Sequence, residues 1–390
     1  MAGAGYLHLD ENVVDLARAR IARAYDVCDW LIVYFSGGKD STAVLNLTVE
    51  VARELGKLPV EVAFFDEEAI PMVTQEYVTR VVERFGDEIK LRWYCLPVKH
   101  RNACSNREPW WYPWAPEKRH LWTRELPPLA ITEDMVPGFQ RLPIPKQGSM
   151  VMPRSRGIAG AVQGIRAQES MARRRGVMKR GTDNFISGLP DEPWIKQVKP
   201  IYDWRTEDIW TAPKVFGWDY NRAYDLMRAA GFSFHQQRIS PPFGEEPLRQ
   251  LWLYAQCFPA EWEKMTQRVD GVATAGRYAN SPLYGVGGLP AGFDHTLPPE
   301  PQIKRALQRW APTERKQIAT AIQKYVRLHY RKTDKPLPMV DPSESPTGFT
   351  WLKLYKIAVI GDLKGRRALS ILYKGDGDRD DEMLDRKTIV

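Results

Sequence analysis

Cysteine is scarce in this sequence, and no stretch of it is apolar enough to cross a membrane. The four cysteines among 390 residues are Cys28, Cys95, Cys104 and Cys257, and their spacing argues against a disulfide framework. No apolar run approaches the roughly 20 residues of a membrane-spanning helix, and the N-terminus lacks the apolar core of a signal peptide. We therefore expect a cytoplasmic protein with no membrane partner.

The sequence also lacks the Walker A loop of P-loop kinases and nucleotidases, although a similar loop, SGGKDS, occupies residues 36–41. A Walker A loop needs a glycine five residues before its Gly-Lys pair, where this chain has Val33. It also needs serine or threonine directly after the lysine, where this chain has Asp40. The P-loop classes are therefore excluded.

This loop nevertheless has the ordered parts of a phosphate cradle. Leu31–Phe35 is an unbroken apolar run that predicts a buried strand of a parallel sheet. Gly37 and Gly38 let backbone N–H groups approach an anion, and we expect Ser41 and Thr42 to cap the helix that follows. Strand, glycine turn and helix start together predict phosphate binding.

Two charged residues refine this prediction. Lys39 adds a full positive charge to the loop. Asp40 would repel phosphates unless a metal ion or a nearby cation offsets its charge, so it suggests Mg²⁺ as a partner of the nucleotide.

Alternating strand and helix patterns continue beyond the loop. Helices are predicted over 11–28 and 72–85, and further strands over 59–65 and 88–94, an order that fits a doubly wound, mostly parallel α/β sheet of Rossmann type. Asp66 follows the second strand, at the edge where such sheets bind ligands. It either contacts ribose or Mg²⁺, or supplies negative charge to a helix N-terminus.

A proline- and tryptophan-rich insertion follows at 97–153. Its tryptophans and basic residues suit either a platform for nucleobases or the packing of a loop-rich subdomain. The tryptophans are Trp110, Trp111, Trp114 and Trp122, and the basic residues include Lys99, Arg101, Arg107, Lys118, Arg119 and Arg124. Cys95, His100, Cys104 and His120 are residue types that bind Zn²⁺, but their spacing matches no established zinc site.

Two later motifs carry further candidate residues. In GIRAQES (164–170), Gly164 and Arg166 near a strand end could aim a guanidinium at phosphate, with Glu169 pairing with Arg166 to hold it. In KPIYDWRTEDIW (199–210), we expect Thr206 to be the N-cap of a helix.

Together with SGGKDS, these two motifs resemble, in the same order, the signatures of one family. This is the phosphoadenosine phosphosulfate (PAPS) reductase-like branch of the adenine nucleotide α-hydrolase superfamily, which includes the PP-loop ATP pyrophosphatases. Segments 108–127 and 238–243 resemble the longer phage and bacterial members. The resemblance covers roughly residues 25–245.

The resemblance implies a set of nucleotide-binding residues. They are Ser36, Gly37, Gly38, Lys39, Asp40 and Ser41 around the phosphates, Gly164, Ile165 and Arg166 from a later strand end, and Asp66 at the edge of the second strand. Among them Lys39, Asp40 and Arg166 are the catalytic candidates, with Asp40 also the candidate Mg²⁺ ligand.

One departure from the family narrows the expected reaction. Its reductases use the cysteine of a C-terminal Glu-Cys-Gly-x-His motif, whereas Cys257 stands in LYAQCFPAEW, without the glycine or the histidine. Reduction of a sulfonucleotide by this cysteine is therefore not expected. The expected reaction is cleavage of ATP between its α- and β-phosphates, with adenylation or thiolation of an acceptor. Lys39 and Mg²⁺ would stabilise the leaving pyrophosphate.

The remainder of the chain is basic and mostly helical. A net charge of +8 suggests anionic partners, whether nucleotide or nucleic acid. We expect an α/β nucleotide-binding domain over 1–245, a helical basic region over 246–334, and a linker and tail over 335–390. In the last part, 350–361 is predicted to add a strand and the acidic end to be loose.

Two classes of function fit the sequence. One is an ATP-dependent enzyme whose acceptor is unknown, a nucleic acid being one candidate, and which works with a partner protein or as a homo-oligomer. The other is a PAPS reductase-like protein, or a nucleotide-binding regulatory protein that has lost turnover.

Overall fold

A computed structural model describes residues 10–105, 107–169, 171–178, 183–234, 236–244, 248, 251–278 and 292–361. The chain divides into two compact units, Met1–Asn280 and Ser281–Val390. The helices between 251 and 278 belong to the first unit. Among the described residues, no helix combines the length and apolarity needed to span a bilayer.

The strands are β1 Trp30–Phe35, β2 Val60–Phe65, β3 Ile89–Tyr94, β4 His100–Arg101, β5 Trp110–Trp111, β6 Ala130–Ile131, β7 Ala159–Gln163, β8 Ile186–Gly188 and β9 Ile195–Val198. The helices of the first unit are α1 Val13–Val27, α2 Lys39–Glu54, α3 Met72–Phe85, α4 Gly148–Val151, α5 Met171–Met178, α6 Thr206–Phe216, α7 Ala223–Ala229, α8 Leu251–Cys257, α9 Pro259–Arg268 and α10 Val272–Tyr278. Those of the second unit are α11 Pro299–Leu307, α12 Pro312–Lys332 and α13 Trp351–Ile360.

Seven of the nine described strands form one sheet in the order β6-β3-β2-β1-β7-β9-β8, and β4 and β5 pair antiparallel in a separate two-stranded sheet. Every neighbouring pair is parallel except β8 and β9, so the predicted mostly parallel α/β fold is confirmed. The strand order runs outward in both directions from β1, through β2 on one side and β7 on the other. Ligands of open α/β sheets bind beyond the carboxyl ends of strands at such a switch point.

Strand β1 is apolar throughout because the protein covers both of its faces. Leu31, Val33 and Phe35 pack into the core that includes α1 and α2, whereas Ile32 packs into a second core with Phe65. A strand buried on both faces has no polar alternation, which is why its sequence predicts it so clearly.

Two predicted helix starts are shifted by the structure. Helix α2 begins at Lys39 with Gly38 at the N-cap, so Ser41 and Thr42 lie in its first turn and do not cap it. Helix α6 begins at Thr206 with Arg205 at the N-cap, and the Asp208 carboxylate accepts the Arg205 backbone N–H at 2.7 Å. In both cases the residue predicted to be the N-cap lies inside the helix, because the helix begins at or before that residue.

A buried carboxylate, that of Glu68, joins the insertion to the rest of the first unit. Glu68 is fully buried, has a φ of 56°, and accepts the backbone N–H groups of Trp114 at 2.7 Å and Thr123 at 3.1 Å. Arg268 of α9 donates to both of its oxygens, at 2.9 and 3.0 Å. Trp111 and Trp114 are themselves buried, so these two tryptophans pack the insertion and do not form a base platform.

The second unit is a small helical bundle with its own core. Residues 350–361 were expected to add a strand, but Trp351–Ile360 forms α13, so this prediction is wrong. Thr350 caps the helix by accepting the Lys353 backbone N–H at 3.1 Å, and Leu354 and Ala358, one turn apart, are fully buried in the core of this unit. The acidic end of the chain lies outside the described residues.

Candidate functional site

A cavity of about 330 Å³ opens beyond the carboxyl ends of β1, β2 and β7, within the roughly 300–1,000 Å³ range of small-molecule sites. It is lined by the loop after β1, the ends of β2 and β7, the start of α6, and a segment before α8. The lining residues are Ser36, Gly38, Lys39, Asp40, Phe64, Phe65, Glu67, Ile70, Arg166, Gln168, Glu169, Thr206, Tyr224, Phe234, Gln237, Arg238, Ile239 and Ser240.

The loop after β1 is fixed by its own serines. The Ser36 backbone N–H donates to the Ser41 hydroxyl at 3.1 Å, and that hydroxyl donates to the Gly38 carbonyl at 2.9 Å. Gly37 has a φ of +71°, which a residue with a side chain rarely adopts. The loop is therefore held as a tight turn at the N-terminus of α2.

Gly164 lets the loop after β7 approach the start of α2. A Cβ atom on Gly164 would lie 2.6 Å from the backbone carbonyl carbon of Asp40, so any larger residue would push the two loops apart. Of the predicted residues, Ser36, Gly38, Lys39, Asp40 and Arg166 line the cavity. Gly37, Ser41, Gly164 and Ile165 belong to the same two loops but are not among its lining residues.

Arg166 and Asp40 form the electrostatic centre of the site. The Arg166 guanidinium is almost fully buried and donates through Nε to Asp40 Oδ1 at 2.5 Å, while Lys39 Nζ lies 3.3 Å from Asp40 Oδ2. The two cations thus already offset the charge of Asp40. Glu169 does not hold the guanidinium as predicted, because it accepts the Arg166 backbone N–H at 3.0 Å and pairs with Arg173.

The structure places Asp66 away from the cavity and its neighbour Glu67 in it. The Asp66 carboxylate is buried, accepts the Trp93 indole N–H at 2.8 Å and pairs with Arg124. Glu67 Oε1 instead lies 3.1 Å from Nδ1 of His100. Burial, with a smaller contribution from the Asp66 charge, raises the pKa of Glu67 to about 8.

Residues near α7 support the loop, and the sequence analysis missed them. The Tyr224 hydroxyl accepts the Lys39 backbone N–H at 3.0 Å, and Lys39 Nζ lies 5.5 Å from the centre of the Tyr224 ring. Asn221 donates through Nδ2 to the Gly37 carbonyl at 3.0 Å. Burial raises the pKa of Tyr224, so this phenol stays protonated. No local sequence signal connects these residues to a loop more than 180 positions earlier.

The cysteines have no features of reactive thiols. Burial raises the pKa of Cys257 and of Cys28 to about 11 and that of Cys104 to about 12, and it raises that of Cys95 as well. A thiolate nucleophile needs a lowered pKa. Across the described residues, no group of three or more His, Cys, Asp or Glu side chains is arranged to hold a metal ion. Cys95, His100, Cys104 and His120 all lie within this part of the chain, and they form no such group.

Comparison with known proteins finds a relative over about two thirds of the chain. The chain is 34% identical over 282 residues to YbdN, an uncharacterized protein of Escherichia coli (strain K12), and the match covers 69% of this chain and 68% of YbdN. A protein-family profile, "Domain of unknown function (DUF3440)", matches residues 231–296. The first residues of that match include Phe234, Gln237 and Arg238 of the cavity wall.

Two solved structures show a distant likeness. Candida glabrata FMN adenylyltransferase is 13% identical with a TM-score of 0.34, covering 54% of this chain and 57% of that one, which is less than two thirds of its length. PAPS reductase from Candida auris is 13% identical with a TM-score of 0.30, covering 57% of this chain and 94% of that one. Scores this low support no argument about function, which must rest on the geometry of the cavity.

Proposed function

The chain belongs to the YbdN family, and we propose that it is a PP-loop enzyme that binds ATP in the cavity beside α2. The proposed reaction cleaves ATP between its α- and β-phosphates and transfers AMP to an acceptor. An acceptor atom bonds to the α-phosphorus, the bond from that phosphorus to the bridging oxygen breaks, and pyrophosphate leaves with the bonding electrons.

One observation carries this proposal. The glycine loop after β1 and Arg166 from the end of β7 meet at the same cavity, at the position where the strand order reverses. The N-terminus of α2, a lysine and a buried guanidinium thus converge on one space large enough for a nucleotide. Such a convergence of helix dipole and cations favours a polyphosphate ligand.

The residues of the cavity suggest distinct roles. Lys39 Nζ would contact the phosphates and offset charge that develops on the leaving pyrophosphate. Arg166 would donate to a phosphate oxygen while its bond to Asp40 fixes its orientation. Tyr224 and Asn221 would act as positioning residues, since they touch the backbone of the loop.

Magnesium fits this site as a companion of the nucleotide. Mg²⁺ in nucleotide enzymes is held by one or two carboxylates together with phosphate oxygens. Asp40 is a carboxylate at the mouth of the loop. If Lys39 moved to a bound phosphate, Asp40 Oδ2 would be open to the ion while Oδ1 kept its bond to Arg166. When bound, the ion would supply Lewis-acid stabilisation of the pyrophosphate.

Product analysis tests the proposal. We expect the purified chain, incubated with Mg²⁺ and ATP labelled in the adenine, to form AMP or an AMP conjugate together with pyrophosphate in the presence of an extract that supplies the acceptor. Formation of ADP and phosphate would instead indicate cleavage at the γ-phosphate and contradict it. The α,β-methylene analogue of ATP, which cannot be cut at this bond, should bind and give no products.

Two variants make the result specific. Lys39→Ala should lose product formation at least tenfold, because a charge-assisted contact contributes about 1.5–3 kcal/mol. Lys57→Ala removes an exposed lysine just beyond α2 and should leave it unchanged. If the wild type binds ATP but releases no pyrophosphate with any extract, the result would favour a nucleotide-binding regulatory protein that has lost turnover.

A further inference from the structure

The helices of the second unit carry a concentration of positive charge. Residues 292–361 contain twelve lysines and arginines but only six aspartates and glutamates, a net charge of +6 within 70 residues. The whole chain carries +8, so the other 320 residues together contribute only +2. The basic character of this protein therefore belongs mainly to one region.

Helix α12 presents part of this charge on one side. Ile318, Ile322 and Tyr325 are fully buried against the core of the second unit. Lys316 and Lys324 are exposed, and their spacing of eight residues places them on the same outward side of the helix, about 12 Å apart along its axis. Arg327, also exposed, extends this row by one turn.

Helix α11 adds three more exposed cations, Lys304 and Arg305 within it and Arg309 just beyond its end. Within the part of the second unit that the structure describes, these three and the two lysines of α12 form no ion pair. The carboxylates on these two helices are Glu300 and Glu314, both in a first turn. We call Lys304, Arg305, Arg309, Lys316 and Lys324, which share exposure and the absence of an ion pair among the described residues, the cationic face.

The chemistry of the cationic face favours a nucleic acid over a membrane. An interfacial membrane helix must present large apolar side chains to the lipid. The exposed large apolar residues of the described second unit are Leu297 and Val340, neither of which lies on α11 or α12. The apolar side of α12 is already used in the core. Lysines and arginines without exposed apolar neighbours suit a phosphodiester backbone.

We propose that the cationic face binds the phosphate backbone of a nucleic acid. Binding of a nucleic acid by the cationic face does not depend on whether the protein uses ATP. A second step, in which the bound nucleic acid is the acceptor of AMP, rests on the proposed function.

The test is a binding titration of the full chain with fluorescently labelled single-stranded DNA, duplex DNA and RNA, between about 50 and 200 mM salt. Lys316→Gln/Lys324→Gln should weaken binding about tenfold or more at low salt. It should also lower the slope of log affinity against log salt by about 1.4–1.8, because each phosphate contact contributes about 0.7–0.9. The three probes identify the kind of nucleic acid.

Matched controls separate this effect from general electrostatics. Lys57→Gln/Lys214→Gln removes the same charge from exposed positions of the first unit and should leave the affinity unchanged. Equal weakening by both pairs, or no binding of any probe at low salt, would overturn the proposal. Polyglutamate binding as tight as that of the best nucleic acid would also overturn it, since the face would then suit an acidic protein.

Variants of the two regions distinguish this proposal from the proposed function. Lys39→Ala should bind nucleic acid like the wild type, and the α12 double variant should keep its ATP affinity and its unfolding temperature. If the chain does not handle ATP but binds nucleic acid through the cationic face, only the proposed function fails. If it handles ATP and the double variant binds nucleic acid normally, only this inference fails.

Discussion

The two units of this chain use positive charge in opposite ways. In the first unit, arginines are set against carboxylates at short range: Arg20 with Asp203 at 2.8 Å, Arg268 with Glu68 at 2.9 Å, and Arg166 with Asp40 at 2.5 Å. In the second unit, the five residues of the cationic face have no acidic partner among the described residues. The same residue types thus fix structure in one unit and remain available to a partner in the other.

Burial explains the contrast. A buried charge must be paired and hydrogen-bonded, because leaving water is costly for it, whereas an exposed charge keeps its hydration. The Arg268 and Glu68 side chains are 3% and 0% exposed, so each depends on the other. The number of cations in the first unit therefore says little about how many are available to a partner, since its buried arginines are already paired with carboxylates.

The largest expected effect tests this dependence. Arg268→Met keeps the aliphatic stem but leaves Glu68 buried without its cation, and we expect a loss of about 3–5 kcal/mol in the free energy of unfolding of the first unit. Denaturant unfolding followed by tryptophan fluorescence measures it. By contrast, Lys324→Ala in the second unit should change stability by less than about 0.5 kcal/mol.

The companion variant Glu68→Gln/Arg268→Met removes both charges and should recover part of the loss. Similar small losses for Arg268→Met and Lys324→Ala would mean that the paired and unpaired cations do not differ in the way described.

A smaller effect concerns Glu67, the cavity carboxyl whose neighbour is a histidine and not an arginine. With its pKa raised to about 8, this group is neutral below that pH and negative above it. ATP is an anion, so its affinity should fall about fivefold between roughly pH 7 and pH 9 as like charges come together. The other ionisable groups that line the cavity are Lys39, Asp40, Arg166, Glu169, Tyr224 and Arg238. His100 and Asp66 act on Glu67 from outside this lining.

Calorimetric titration with ATP across this range measures the pH dependence, and Glu67→Gln should remove it. A pH dependence that persists in Glu67→Gln would assign it to another of these groups.

The smallest expected effect is at Cys257. Its thiol has a pKa near 11 and is therefore protonated at neutral pH, which makes it a poor nucleophile. Cys257→Ser should leave ATP binding and product formation unchanged within twofold. Loss of activity in this variant would support a reaction in which the Cys257 thiolate attacks the substrate, as in the reductases.

The sequence predicted the parts of the site that are built by neighbours in the chain. Leu31–Phe35 and the SGGKDS loop are local features, and the strand, the turn and the helix lie where these features place them. The meeting with Arg166 followed from the general rule that parallel strands share a ligand edge.

Features set by distant contacts could not be predicted in this way. Tyr224 lies 185 residues from Lys39 and supports its backbone only after folding. The sequence also does not show that Glu67, and not the adjacent Asp66, lines the cavity, because packing decides which of two neighbouring side chains turns toward it. The apolar run at 351–360 satisfies a strand and a buried helix alike, and packing against the core of the second unit selects the helix.

We propose that the cavity beside α2 is an ATP site organised by Lys39. The most direct measurement is calorimetric titration of the wild type, Lys39→Ala and Lys57→Ala with the α,β-methylene analogue of ATP in Mg²⁺. We expect Lys39→Ala to bind the analogue at least tenfold more weakly and Lys57→Ala to bind it like the wild type. Equal affinity in all three proteins would contradict it.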